Sequence, residues 1–491
     1  MRANTLQSLA VFVAVALLAA CGGGGDSDSS TSTTQTVIGT ISSFGSVVVN
    51  GVRFADSTAS VRMNDATATR DQLRVGMVVQ VRGRINAGGT GVANSIQYNG
   101  CVQGPITAMN QVQNTVTVLG QTVKVDDDSV FDGVTLRDMN GFAIGDQVAV
   151  SCLHDPANNQ MRATRMERLG VFQNGVSALE VNGTVRNLNH VAGTSTIDGL
   201  TVNFAGIAAG NRPAGLANGM TVGARGYNFA NGILTADQLR DRDRDRISYP
   251  NGDGLEIEGY VSDFVSISNF MVNGQAVNAA NAVIKNGTAA DIRDGLKVEA
   301  EGTISDGVLV ASRVTIRLQT NVRVEAGMQT MDTVQSTITL LGRTLTVNAD
   351  TVLRDRLTNA DQPTTITLAA LNLSDRLEVN AYQDAGGNLI ATRVERTEVD
   401  PLVVVKGPAD AKVPTTQLTL AGFGVTTGVN SLYRDASGTL VNAVTFYNAV
   451  RVPPAAATIV HTRGVVANLA TNVVDATRST STIGELEIGG D

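Results

Sequence analysis

Along the chain from about residue 36, apolar and polar residues alternate in short runs, and turns centred on glycine interrupt them. Segments such as DQLRVGMVVQVRG, LANGMTVGARG, DIRDGLKVEAEG and LNLSDRLEVNA each lead from a turn into such an alternation. A period of two is that of a half-buried strand. A hairpin signature recurs six times: VNGVRF at Val49, VLGQTV at Val118, IDGLTV at Ile197, VNGQAV at Val272, LLGRTL at Leu340 and LAGFGV at Leu420. Asn-Gly and Asp-Gly suit the positive φ values of a two-residue type I′ turn, so these segments predict antiparallel hairpins.

The six turn glycines, Gly51, Gly120, Gly199, Gly274, Gly342 and Gly422, set a module of roughly 70–80 residues. Another glycine precedes each turn: Gly39, Gly104, Gly183, Gly259, Gly327 and Gly407. A last strand carries Ala and, three residues on, an apolar residue, as in ANSI at Ala93, ATRM at Ala163, ADQL at Ala236, ASRV at Ala311 and ATRV at Ala391. The sixth copy is degenerate. TIVHTRG at Thr458 reads as its fourth strand, and DATRS at Asp475 and AVTF at Ala443 compete for its fifth.

About five strands per module predict an all-β chain of six tandem, small, OB-like barrels, because closure removes the edges that an open five-stranded sheet would expose. The expected modules are 37–100, 101–172, 178–246, 255–318, 321–399 and 403–488. This repeat resembles the bacterial family labelled domain of unknown function 5666, whose members often stand in tandem behind lipoprotein signals. The resemblance implies a fold and supplies no functional residues.

Residues 1–20 read as a signal peptide. Arg2 supplies the positive charge, Leu9 to Leu18 the apolar run, and Ala19 and Ala20 the small residues. The run is shorter than the roughly 20 residues that span a bilayer. LAAC, Leu18 to Cys21, resembles the bacterial lipobox, which implies acylation of Cys21, with palmitate among the expected chains. Gly rather than Asp follows Cys21, and that resemblance implies the outer membrane, facing either the periplasm or the surface. Residues 21–36, rich in Gly, Ser and Thr, read as a flexible linker.

Composition narrows function mainly by exclusion. The net charge of −8 removes a general basis for nucleic-acid binding. Aromatics make up only 4% with no Trp, which leaves few stacking platforms for sugars. With Cys21 assigned to lipid, Cys101 and Cys152 remain, both in the second copy. They predict a disulfide between the first and fourth strands in an oxidising envelope, with two free buried thiols as the alternative.

The histidines, His154, His190 and His461, fall in three different copies, and no nucleophile, nucleotide or metalloprotease motif accompanies them. The stretch from Asp237 to Gly254, with DRDRDRISYPNGDG from Asp241, reads as a solvated strand end and linker. Asp241, Asp243 and Asp245 start like a calcium loop, but Gly252 stands where that loop needs Glu. Asp126, Asp127 and Asp128 read as an exposed turn.

These observations predict a non-enzymatic, lipid-anchored envelope protein without cofactor or metal. Its partners would be the membrane and an envelope polysaccharide or protein. A linear array of six barrels would form a stalk about 150 Å long. An OB-like face that binds oligosaccharide or another polymer is the alternative, and an unrecognised enzyme is a third class.

Overall fold

The computed structural model describes residues 35–86, 88–134, 138–158, 160–242, 249–373, 375–384, 386–468, 472–477 and 484–489. Cys21, the signal segment and the linker lie outside them, as do Asp243 and Asp245. Thr33–Asp491 forms one compact unit.

Six rings of five strands close within it. Barrel 1 uses Gln35–Ser43, Val47–Val49, Val52–Ala55, Val78–Asn86 and Thr90–Tyr98. Its first strand pairs with the second and fourth, and its third runs parallel to the fifth. The same circuit closes in barrel 2 (Val102–Asn110 to Gln160–Val171) and barrel 3 (Leu179–Asn189 to Ile233–Asp241). It closes again in barrel 4 (Gly254–Ser266 to Val308–Ile316), barrel 5 (Val322–Asp332 to Leu389–Thr397) and barrel 6 (Val403–Val413 to Val473–Asp475). Alternation along each strand sends Val, Ile, Leu and Phe inward, so Phe54, Phe204, Phe270 and Phe423 are completely buried.

The repeated hairpins are type I′ turns in all six barrels. Asn50, Leu119, Asp198, Asn273, Leu341 and Ala421 have φ between 45° and 51°, each followed by a glycine with positive φ. The residue before the turn glycine folds back on the first strand, and this accounts for the upstream glycines. A Cβ built on Gly104 would lie 2.3 Å from Leu119 Cγ, and one on Gly183 would lie 2.2 Å from Asp198 Oδ2. Gly327 is the exception, with nothing within 4 Å of its Cβ position. Gly104→Ala is therefore expected to cost about 1–3 kcal/mol through overpacking, while Gly327→Ala stays within about 0.5 kcal/mol of wild type. Denaturation midpoints test this, and equal shifts would refute the steric account.

Barrels associate in pairs through their first strands. Gln35–Ile38 runs parallel to Gly254–Ile257, joining barrels 1 and 4. The first strands of barrels 2 and 3 pair antiparallel, as do those of barrels 5 and 6. The second strand covers only the C-terminal half of the first, which leaves its N-terminal edge open, and the partner barrel fills it. Barrels 2 and 3 share one apolar core and barrels 5 and 6 another, whereas barrels 1 and 4 keep separate cores.

The expected linear array does not describe this arrangement, because barrel 1 joins barrel 4 rather than following chain order. Barrel 5 also docks on barrel 1. Phe44 exchanges backbone hydrogen bonds with the strand at Thr364–Thr365: its N–H donates to Pro363 O at 2.8 Å, and its carbonyl accepts from Thr365 N–H at 3.0 Å.

AVTF at Ala443 is not a strand. Asn442 caps a helix, Ala443–Ala449, by accepting the Thr445 N–H at 2.9 Å. Phe446 and Tyr447 pack on Tyr433 with ring centroids 5.2 and 6.2 Å away. The other five barrels have a three-residue 3₁₀ turn between the third and fourth strands. The fifth strand of barrel 6 is Val473–Asp475, where DATRS begins.

Candidate functional site: a charged seam around a central cavity

Each barrel has an outer face as well as a filled interior, and on several barrels that outer face is covered by a neighbour. Glu256, Glu258, Glu299, Glu378 and Glu395 alternate with core residues along their strands, yet none is more than 7% exposed. Buried charges require partners. Lys297 Nζ lies 2.8 Å from Glu258 Oε1, and Glu258 Oε2 accepts the Thr40 N–H of barrel 1 at 2.8 Å. Burial pushes the Glu258 carboxyl up, but Lys297 outweighs it and holds the group at about 2. Arg317 pairs with Glu299, Arg354 with Glu395, and Arg393 with Glu378 at 3.1 Å.

Barrel 2 contacts all five others. Ser151 Oγ accepts the Val78 N–H of barrel 1 at 2.9 Å, and barrel 3 shares its sheet. The Arg162 guanidinium lies 5.3 Å from the Tyr260 ring centroid of barrel 4. Asn380 of barrel 5 donates to Asp127 O at 2.5 Å, and Lys406 of barrel 6 lies 2.8 Å from Asp127 Oδ1. The Asp126–Asp128 segment is a turn, as expected, with Asp128 exposed, but Asp126 and Asp127 are half-buried and the segment also latches barrels together. Asp128 extends the latch by accepting the Thr320 hydroxyl at 2.7 Å.

The disulfide joins Cys101 to Cys152 in this central barrel, with Cα atoms 5.9 Å apart. It staples the start of the first strand to the fourth strand, and chain entropy puts its contribution at about 2–4 kcal/mol. Gly100 O beside it accepts from Asn182 Nδ2 at 2.6 Å, tying the join of barrels 1 and 2 to barrel 3.

Arg242, at the described start of the arginine run, is also anchored. Arg242 is only 7% exposed and reaches Asp65 of barrel 1 at 2.6 Å and Glu180 at 3.0 Å, while Arg240 lies 3.0 Å from Asp65. A solvated strand end is therefore the wrong description of Arg242, whereas Arg240 keeps 36% of its side chain exposed. An arginine in alternation looks the same in sequence whether its face meets water or another barrel.

The histidines are not brought together. His154 is 3.7 Å from Asp198, His190 is exposed, and His461 lies in the seam. Burial and the nearby cations Arg463, Arg323 and Lys406 hold His461 well below its ordinary value, so it stays neutral. Among the described residues no three His, Cys, Asp or Glu side chains are grouped to hold a metal ion.

Where barrels 1, 2, 4 and 5 face one another, they line a cavity of about 530 Å³ that opens to solvent. Ile41, Ile316 and Val352 give it apolar wall, Tyr260 and Tyr382 supply aromatic rings, and Asn286, Asn348, Asp350 and Gln319 supply polar edges. Burial pushes the Tyr260 hydroxyl up to about 12, so it remains a neutral phenol. Four cations of the wall, Lys297, Arg317, Arg354 and Arg393, are already paired, each with a glutamate of its own barrel. Sequence alternation identified the strands that carry these groups but did not indicate that four barrels would converge.

The four barrels around the cavity are also those with the strongest shared sequence. The family described as Domain of unknown function (DUF5666) matches residues 37–97, 103–167, 258–315 and 323–395, more than half of the chain. Barrels 3 and 6 close the same ring outside those matches. No curated protein matches the chain. With a tandem match of that extent on four barrels of one topology, the chain belongs to the DUF5666 family.

Proposed function

We propose that this chain is a non-enzymatic, lipid-anchored protein of the bacterial outer membrane, whose barrels act together as a rigid scaffold for an envelope partner. The observation that carries this reading is the set of bonds by which barrel 2 holds the other five. Shared sheets and ion pairs between barrels that are distant in sequence suit a single presenting body better than a string of independent beads. The pairing of seam charges with one another supports a structural use for them. The anchor rests on LAAC and the linker that follows Cys21, and Gly at the next position supports the outer membrane.

The test uses the full chain expressed with radiolabelled palmitate. Wild type is expected to take up label and sediment with outer membranes, and Cys21→Ala to lose both the label and the sedimentation. Small-angle scattering of the released Cys21→Ala protein is expected to give one compact particle. Label retained on Cys21→Ala would overturn the anchor, and a flexible multi-bead profile would overturn the scaffold.

A further inference from the structure

We infer that the central cavity is a binding site for a neutral polyhydroxylated ligand, the end of an oligosaccharide chain. Its volume of about 530 Å³ lies within the roughly 300–1,000 Å³ of small-molecule sites, and convergence of several domains is a common setting for them.

The wall chemistry selects the ligand class. Lys297, Arg317, Arg354 and Arg393 already face Glu258, Glu299, Glu395 and Glu378. An anionic ligand would have to compete with those buried carboxylates, and a cationic one with the guanidinium groups, each at the cost of breaking a desolvated pair. A neutral ligand leaves the pairs intact.

Of the two other cations in the wall, Arg162 pairs with Asp155 at 3.0 Å and Arg293 donates to Asp291 O at 2.9 Å. The wall's other polar groups include three amides, Asn286, Asn348 and Gln319, and the Asp350 carboxylate, which accept and donate to hydroxyls in fixed directions. Between them stand Tyr260, Tyr382 and aliphatic side chains, which suit the C–H faces of a sugar ring. A ligand with hydroxyl edges and apolar faces matches both sets at once. The site differs from the outer face and loops that single OB barrels offer to ligands, because no one barrel contains it. It also answers the scarcity of aromatics: two of the seven tyrosines line this one cavity.

The proposal is tested by calorimetric titration of the full chain in a sugar-free zwitterionic detergent. The neutral probes are maltotriose, cellotriose, xylotriose and N-acetylchitotriose, and the charged comparators are trigalacturonate and inorganic phosphate. At least one neutral trisaccharide is expected to bind saturably. Two substitutions should each weaken its Kd by about tenfold or more: Gln319→Trp, which fills the cavity from an exposed rim position, and Tyr382→Ala, which removes a ring. Unchanged melting of Gln319→Trp shows that any loss there is not unfolding. Failure of all four neutral probes, binding confined to trigalacturonate or phosphate, or equal affinity in both variants and wild type would each overturn the assignment.

Discussion

Replacing Glu395 with Ala is expected to destabilise the folded unit by about 3–5 kcal/mol, the usual cost of leaving one partner of a buried ion pair alone. Glu395 is 1% exposed and faces Arg354, itself 4% exposed, on the parallel neighbouring strand. Arg356 Nη1 lies 3.0 Å from its other oxygen. Burial pushes the carboxyl up, but the Arg354 guanidinium outweighs burial and holds it below the ordinary carboxylate range. Arg354 also donates to Ser42 O of barrel 1 at 2.9 Å, so the loss weakens the docking of barrel 5 on barrel 1 as well as barrel 5 itself.

Glu395→Leu combined with Arg354→Met is expected to recover part of the stability, because Arg354 goes with its partner and the volume is filled, while Arg356 still loses its Glu395 oxygen. Urea denaturation of the wild type, the Glu395→Ala variant and the double variant measures the coupling. A Glu395→Ala cost under about 1 kcal/mol, the range of an exposed pair, would show that water reaches the seam.

The contrast between fold and seam shows what was legible before the structure. The barrel count and strand order could be read because each depends on local signals: the turn at Asn50-Gly51 needs two positive φ values, and alternation around it needs one filled face. Gly104 was visible as a repeated position, although its reason, the returning Leu119 side chain, is a contact in space. The charged residues were another matter. KVEAEG places Glu299 and Glu301 on the outer face of a strand, and the pattern is the same whether that face meets water or barrel 1. Glu299 is 4% exposed, on the barrel that barrel 1 joins through its first strand. A clue did exist in the complementarity between copies, since acidic residues crowd the fourth strand of barrel 4 while arginines follow the Ala-Thr or Ala-Ser of last strands. Complementarity of that kind identifies partners only once the faces are known. The helix at Ala443 misled for a related reason, because AVTF satisfies a strand period as well as a helical one over four residues.

The same seam makes stability fall as pH rises from about 4.5 to about 9. Glu256, 2% exposed, hydrogen-bonds Glu299 and lies among Glu299 and Glu301 on the outer face of barrel 4. Burial, reinforced by those two carboxylates, raises its pKa from 4.5 to about 9, so the native protein keeps a proton that the unfolded chain releases. More protons bound in the native state means that unfolding free energy declines with pH across that window. The two carboxyls titrate as a pair, and over the whole interval the loss is on the order of 5 kcal/mol at 1.36 kcal/mol per unit.

Glu258 works in the opposite sense. Its pKa of about 2 gives stability that is present above 4.5 and lost as pH falls toward 2. The two glutamates therefore place the optimum of the barrel 1 and barrel 4 seam near pH 4.5. Glu256→Gln keeps a donor for Glu299 and removes the proton. It is expected to match wild type within about 1 kcal/mol at pH 4.5 and to exceed it on the order of 5 kcal/mol at pH 9. Urea midpoints at pH 4.5, 7 and 9 measure the difference. Curves that run parallel for the two proteins would mean that Glu256 is ionised in the folded state and that the seam holds its charge by some other partner.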